Sequence, residues 1–114
     1  MRTVLSAVAC LGVLWVSSAS AQQAGDNLNE TQRHGRQILA QSCGVCHLSP
    51  SLNARTYGPP LNKAAANGDD SIMREYIVNG TPRMPAFKHY LKDNEIDAII
   101  AYVRTVPTPA PAAR

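Results

Sequence analysis

The feature that most constrains this chain is the five-residue segment Cys43-Gly44-Val45-Cys46-His47. Two thiols three positions apart, followed directly by a histidine, are the pattern by which a c-type haem is attached to a protein. Each thiol can add to one vinyl group of the haem, and the histidine can then bind the iron through a neutral imidazole nitrogen. The segment therefore predicts one covalent haem c, with Cys43 and Cys46 as its thioether positions and His47 as the proximal iron ligand.

The N-terminus has the pattern of a secretory signal peptide. Arg2 precedes an apolar run over residues 4–16, and Ala19-Ser20-Ala21 then forms an Ala-x-Ala cleavage site. The run is shorter than the roughly 20 residues that span a bilayer, which favours cleavage over a membrane anchor. A lipoprotein is a weaker alternative, because Cys10 lies inside the run with almost nothing before it. We predict a cleaved signal at 1–21, export to the periplasm and no stable membrane insertion afterwards.

Three other chemistries use a Cys-x-x-Cys segment: a zinc site, a redox dithiol and a structural disulfide. Structural zinc takes four ligands, and the exported chain has no second cysteine pair. A redox dithiol belongs in an alternating strand and helix pattern, which this sequence lacks. In an oxidising compartment two such thiols would otherwise form a disulfide. Haem attachment remains the favoured hypothesis.

Length and composition indicate one small domain. With 114 residues the chain has room for a single core. We predict a flexible N-terminus at 22–29, a domain at 30–106 and a Pro/Ala-rich tail at 107–114, whose alternating prolines cannot continue a helix. The formal net charge of +3 and the aromatic content of 5% show no nucleic-acid-binding pattern, so we expect no nucleic-acid partner.

The domain has helical signals and no strand signal. Asn29 and Gln32 resemble a capping box, which predicts a helix over residues 30–42 that ends just before the attachment segment. A second, short helix is predicted over residues 61–66.

Two stronger helices follow. Asp69 or Asp70 is expected to cap a helix that runs to about Asn79, with Gly80 directly after it. Asp93 is expected to cap the last helix, in which one face is apolar at positions i, i+3, i+4 and i+7: Ile96, Ile99, Ile100 and Val103.

Together these segments make the chain similar to the small bacterial class I cytochromes c. The resemblance covers nearly all of residues 30–105 and rests on the attachment segment, on Asn79-Gly80-Thr81-Pro82-Arg83-Met84-Pro85 and on Ile99-Ile100-Ala101-Tyr102-Val103. It implies an all-α fold, the class I cytochrome c fold, with three to four short helices wrapped around one covalently bound haem.

The resemblance also implies roles for particular residues around the iron. Met84 corresponds to the distal iron ligand. Pro59, in Gly58-Pro59-Pro60-Leu61, corresponds to the proline whose carbonyl accepts a hydrogen bond from the proximal histidine. Two alternatives to Met84 are Met73, whose place in an amphipathic helix is typical of a core residue, and His89, five residues further along the chain. The prolines beside Met84 favour an extended ligand loop.

Two further pairs of residues follow from the resemblance. The family packs a glycine of its first helix against an aromatic ring of its last helix, which would be Gly35 and Tyr102 here. The tryptophan that often contacts a haem propionate in the family is missing, and Arg55 and Tyr57 are the candidate substitutes.

An iron with both histidine and methionine ligands has no open position for a substrate, which favours electron transfer over catalysis. We therefore expect a one-electron carrier and not an enzyme, acting either as a diffusing carrier or as the cytochrome subunit of a dehydrogenase. Its expected partners are redox proteins: a dehydrogenase, an oxidase or a respiratory complex. The alternative is a haem-based catalytic or gas-sensing module with a labile sixth ligand.

Overall fold

The computed structural model of the protein describes residues 27–49 and 54–109. The predicted signal peptide lies outside the described residues, as do most of the predicted flexible N-terminus and most of the tail. Within the described ranges there is no helix long and apolar enough to cross a bilayer. The all-α prediction is confirmed, and the helices are α1 Glu30–Ile38, α2 Gly44–His47, α3 Asp70–Asn79 and α4 Asp93–Val103.

Helix α1 begins as predicted but ends differently. The Asn29 side chain accepts a hydrogen bond from the Gln32 amide at 2.9 Å, and the Gln32 side chain accepts one from the Asn29 amide at 3.0 Å. After Ile38 the chain forms a π-helical turn, Leu39–Cys43, and continues directly into α2. The prediction of a plain helix ending before the attachment segment was wrong, because Gly44 keeps helical backbone angles (φ −59°, ψ −37°). The segment therefore lies within helical structure.

Helix α3 has the predicted caps. The Asp69 side chain accepts hydrogen bonds from the amides of Ser71 and Ile72, and Gly80 follows the helix with a φ of 71° that favours glycine. Met73 and Ile77 are buried. These two residues give α3 its core-facing side.

Helix α4 supplies the centre of the core. All four residues of its predicted apolar face are buried, and Val103 has no exposed surface. The predicted cap was wrong: Asp93 is the first helical residue, and the Glu95 side chain accepts a hydrogen bond from the Lys92 amide at 2.7 Å instead. Glu95 lies at the third helical position, where a carboxylate can reach back to the amide before the helix.

The predicted helix over residues 61–66 is absent. The structure has a short 3₁₀ turn, Ala65–Gly68, in which Ala66 and Asn67 adopt left-handed backbone angles with φ of 54° and 56°. Such angles cost residues other than glycine about 1–2 kcal/mol each. The turn therefore needs support from elsewhere in the fold.

Arg104, directly after α4, provides that support. Its guanidinium donates to the backbone carbonyls of Lys63 at 3.0 Å and Ala65 at 2.9 Å, and to the Asp70 carboxylate at 2.7 Å. The backbone adds a hydrogen bond from the Lys63 amide to the Val106 carbonyl at 2.9 Å. One arginine thus joins the end of α4 to the start of α3 and to the turn that precedes α3.

We expect Arg104→Met to lower the free energy of unfolding by about 1–3 kcal/mol, because it leaves the carbonyls of Lys63 and Ala65, the second of them partly buried, without their side-chain donor. Arg74→Met is the matched control, since Arg74 pairs with Asp97 between α3 and α4 but is more exposed. An exposed pair contributes about 0–1 kcal/mol. Denaturant unfolding of the two holoprotein variants measures the difference, and equal losses would contradict the assigned role of Arg104.

Helices α1 and α4 pack against each other most extensively, and their crossing depends on Gly35. A Cβ atom on Gly35 would lie 1.9 Å from the Ala98 carbonyl oxygen and 2.9 Å from the Ile99 nitrogen. The resemblance named the Tyr102 ring as the partner, but the atoms nearest to this position are backbone atoms of Ala98 and Ile99, one helical turn earlier. Backbone in a helix cannot rotate aside as a side chain can, so the contact admits only glycine. The contact with the Tyr102 ring stays a prediction.

Gly35→Ala should lower the free energy of unfolding by about 1–3 kcal/mol through overpacking, although alanine has the higher helix propensity by about 1 kcal/mol. Gly44→Ala is the control, because its Cβ would meet only the flexible end of the Leu48 side chain, at 3.3 Å. We expect that control to be close to neutral. Thermal unfolding compares the two variants, and a stable Gly35→Ala protein would place the close crossing elsewhere.

Candidate haem-binding site

A cavity of about 450 Å³ lies between the helices and the two long loops. The attachment segment borders it on one side. Helices α3 and α4 contribute core residues to its wall, and the loops over residues 57–61 and 81–87 complete the lining. The lining is predominantly apolar, as the surroundings of a large flat aromatic ligand should be.

His47 is held in one orientation at this cavity. Its Nδ1 atom lies 2.7 Å from the carbonyl oxygen of Pro59. A carbonyl can only accept, so Nδ1 carries the proton and Nε2 is left with a lone pair for a metal. The Gly58 amide also donates to the Cys46 carbonyl at 2.7 Å, which ties the proline loop to the attachment segment.

Gly58 has a role that sequence reasoning did not assign. A Cβ atom there would lie 2.6 Å from Cε1 and 2.7 Å from Nδ1 of the His47 ring. The absence of a side chain lets the backbone lie against the imidazole. The sequence shows that Gly58 and Pro59 form a Gly-Pro pair. Only the fold shows that Gly58 lies against the His47 ring.

The two cysteines of the attachment segment both line the cavity. Cys43 is buried and Cys46 is half-buried. Burial, and to a lesser degree the neighbouring Cys46, raises the pKa of the Cys43 thiol. The raised pKa favours the neutral form of Cys43 while its thiol is free.

Both candidate methionines line the cavity, whereas His89 is exposed and is not among the described lining residues. Met73 is buried within α3 and belongs to the core cluster. Met84 is half-buried in a tight loop, where Thr81 and Met84 exchange two backbone hydrogen bonds of 2.8 and 3.1 Å. The backbone at Gly80 lies close to the Met84 carbonyl oxygen: a Cβ atom added at Gly80 would be 2.5 Å from it. This close approach fixes the start of the loop.

The two candidate propionate contacts differ in position. Tyr57 lines the cavity and is 61% exposed, while Arg55 is exposed and is not among the described lining residues. Arg83 also lines the cavity, and its guanidinium lies over the Tyr57 ring, 4.9 Å from the ring centre. Sequence reasoning had no signal for this contact, because a single loop arginine is usually only solvated.

The donor set fits a haem. Two thiols, an imidazole with a free Nε2 and a thioether all border one apolar cavity, and nitrogen with sulfur is a ligand pair that haem iron accepts. Within residues 27–49 and 54–109, no three His, Cys, Asp or Glu side chains gather as a metal site. The fold and the site together define a small all-α protein organised around a c-type haem.

Comparisons with known proteins agree with that class. A family model described as "Cytochrome C oxidase, cbb3-type, subunit III" matches residues 30–103. Cytochrome c6 of Gloeothece citriformis is 30% identical over 107 residues, covering 90% of this chain and 89% of that protein. Cytochrome c6 of Synechocystis is 36% identical over 74 residues, and that match spans 61% of each protein. The crystal structure of the c-type cytochrome SorU from Sinorhizobium meliloti superposes with a TM-score of 0.51 at 31% identity, covering 67% of this chain and 90% of that chain.

The chain belongs to the class I cytochrome c family. Membership brings the family's cofactor with it, so the protein carries one covalently attached haem c.

Proposed function

We propose that this cytochrome is a one-electron carrier whose iron is bound by His47 and Met84 and whose haem is attached through Cys43 and Cys46. One observation carries the proposal: a single apolar cavity is bordered by the imidazole, oriented through Nδ1, and by the Met84 thioether. When bound, the haem supplies an iron that gains and loses one electron.

The residues of the chain define how that site works. The Pro59 carbonyl keeps the His47 proton on Nδ1, so the Nε2 lone pair would be available to bind the iron. Cys43 and Cys46 would hold the haem through thioether bonds to its vinyl groups. The apolar walls from α3 and α4 would cover much of the haem with apolar side chains. The Met84 thioether would favour Fe(II), which raises the reduction potential.

We further propose that the protein acts in the periplasm and exchanges electrons with redox proteins. The signal-like sequence at 1–21 supports export, and the similarity to cytochromes c6 supports a carrier role. Gel filtration of the native extract separates a freely diffusing carrier from a dehydrogenase subunit: a free carrier that has lost residues 1–21 elutes below the 12.3 kDa of the whole chain, and a subunit elutes with its enzyme.

Spectroscopy of the purified holoprotein tests the proposal. We expect the haem to survive acid acetone, the iron to titrate reversibly as a one-electron couple, and the oxidised protein to show the far-red sulfur-to-iron charge-transfer band. The reduced protein should not bind carbon monoxide, because both axial positions are filled. Rapid carbon monoxide binding by the wild-type protein would overturn the carrier proposal in favour of a gas-binding or catalytic module.

A further inference from the structure

We propose that Tyr57 and Arg83 form a clasp between the two loops that hold the iron ligands, and that this clasp limits how often Met84 leaves the iron. The inference rests on the proposed function, because it takes Met84 as the distal ligand. It assigns Tyr57 and Arg83 as positioning residues that act through Met84.

The contact has the geometry of a cation–π pair. The Arg83 guanidinium carbon lies 4.9 Å from the centre of the Tyr57 ring, within the distance of about 6 Å at which such pairs attract. Both side chains line the haem cavity. Arg83 directly precedes Met84, and Tyr57 directly precedes the Gly58-Pro59 pair that contacts His47. The clasp therefore joins the residue before the distal ligand to the loop that contacts the proximal ligand.

The Tyr57 side of the clasp is fixed to the attachment segment. The Thr56 hydroxyl donates to the Gly58 carbonyl at 2.6 Å, which closes a tight turn around Tyr57. The Gly58 amide donates to the Cys46 carbonyl at 2.7 Å. Tyr57 is therefore a stationary partner, since its loop is tied to the segment through which the haem is attached.

The Arg83 side of the clasp belongs to a loop that is held at its ends. The Gly80 amide donates to the Tyr76 carbonyl and the Phe87 amide donates to the Ile77 carbonyl, both at 2.9 Å, so α3 anchors the loop on either side. Between these anchors, Thr81 and Met84 bond to each other. The loop can thus move outward as a unit while its internal hydrogen bonds stay intact.

The described residues show no backbone hydrogen bond between the loop over residues 54–60 and the loop over residues 80–85. Outward movement of the second loop breaks the Met84–iron bond, and it also withdraws Arg83 from the Tyr57 ring. An exposed cation–π pair contributes about 0.5–1 kcal/mol, which corresponds to a change of about two- to fivefold in the population of the open loop.

The rate of imidazole binding to the oxidised holoprotein measures that population, because an outside ligand enters only when Met84 has left. Imidazole in its neutral form is the probe, since removing the Arg83 charge would alter the approach of an anion. We expect Tyr57→Leu, Arg83→Gln and the double variant each to bind imidazole about two- to fivefold faster than the wild type. The double variant should equal the single variants, because either change alone opens the clasp.

Tyr57→Phe separates the clasp from a hydrogen bond made by the tyrosine hydroxyl. The phenyl ring keeps the face that Arg83 covers, so this variant should bind imidazole at the wild-type rate. A rate equal to that of Tyr57→Leu would assign the effect to the hydroxyl and overturn the clasp. Unchanged rates in the Leu and Gln variants, or additive effects in the double variant, would also overturn it.

The wild-type spectrum separates this inference from the proposed function on which it rests. If the oxidised wild type shows the far-red sulfur band and the variants bind imidazole no faster, Met84 ligation stands and the clasp alone fails. If the wild type lacks the band, the Met84 assignment fails and the clasp fails with it.

Discussion

Replacing both Cys43 and Cys46 by alanine should leave the chain largely unfolded. The apolar wall of the haem cavity is part of the hydrophobic core, since Met73, Ile77 and Ile99 belong to both. At about 24 cal/mol per Å³ of empty space, a cavity of 450 Å³ corresponds to about 11 kcal/mol, an upper bound because it opens to solvent. A small domain has only about 5–15 kcal/mol of total stability. Loss of the haem therefore removes most of what holds the fold together.

Far-ultraviolet circular dichroism of the double variant measures the loss of helix. Cys46→Ala alone is the matched control, because Cys43 can still form one thioether and His47 is unchanged. We expect the control to keep haem and most of its helical signal. A double variant with a helical spectrum close to that of the wild type would show that the helices are stable without the cofactor.

Local chemistry explains why some elements could be predicted from the sequence. Asn29 and Asp69 cap their helices through side-chain atoms that reach amides two or three residues away, so the signal lies within a few residues. The apolar face of α4 follows from helical periodicity alone. The spacing of the Cys-x-x-Cys-His segment indicates haem attachment without any contact from elsewhere in the chain.

The elements that were missed depend on contacts between distant parts of the chain. Arg104, about forty positions later, binds the carbonyls of Lys63 and Ala65 at the start of the turn Ala65–Gly68, in which Ala66 and Asn67 are left-handed. The crossing of the first and last helices at Gly35 was predicted, but its contact with the Ala98 backbone was not, because helix geometry sets that contact and the identity of residue 98 does not indicate it. The pairing of Arg83 with Tyr57 likewise joins two loops that only the fold brings together.

Met84→Ala should have the largest effect on the redox properties of the protein. Removing the thioether opens the sixth position to water or to a nitrogen ligand, and either favours Fe(III) more than sulfur does. We expect the reduction potential to fall by on the order of 0.1 V or more, within the range of about 0.8 V over which axial ligands set haem potentials. The reduced variant should bind carbon monoxide, and the far-red sulfur band should disappear. Haem attachment should persist, because Cys43, Cys46 and His47 are untouched.

Met73→Ala is the control that makes this result specific to one methionine. Both methionines line the cavity, but Met73 lies buried within α3, where truncation removes packing and costs about 2–5 kcal/mol of stability. Its spectrum and potential should remain close to those of the wild type. If Met73→Ala loses the sulfur band and Met84→Ala keeps it, the ligand lies on α3 and the loop at Gly80 has another purpose. If the wild type lacks the band and both variants keep its potential, the sixth ligand is not one of these methionines, and the closed coordination from which electron transfer was argued loses its basis.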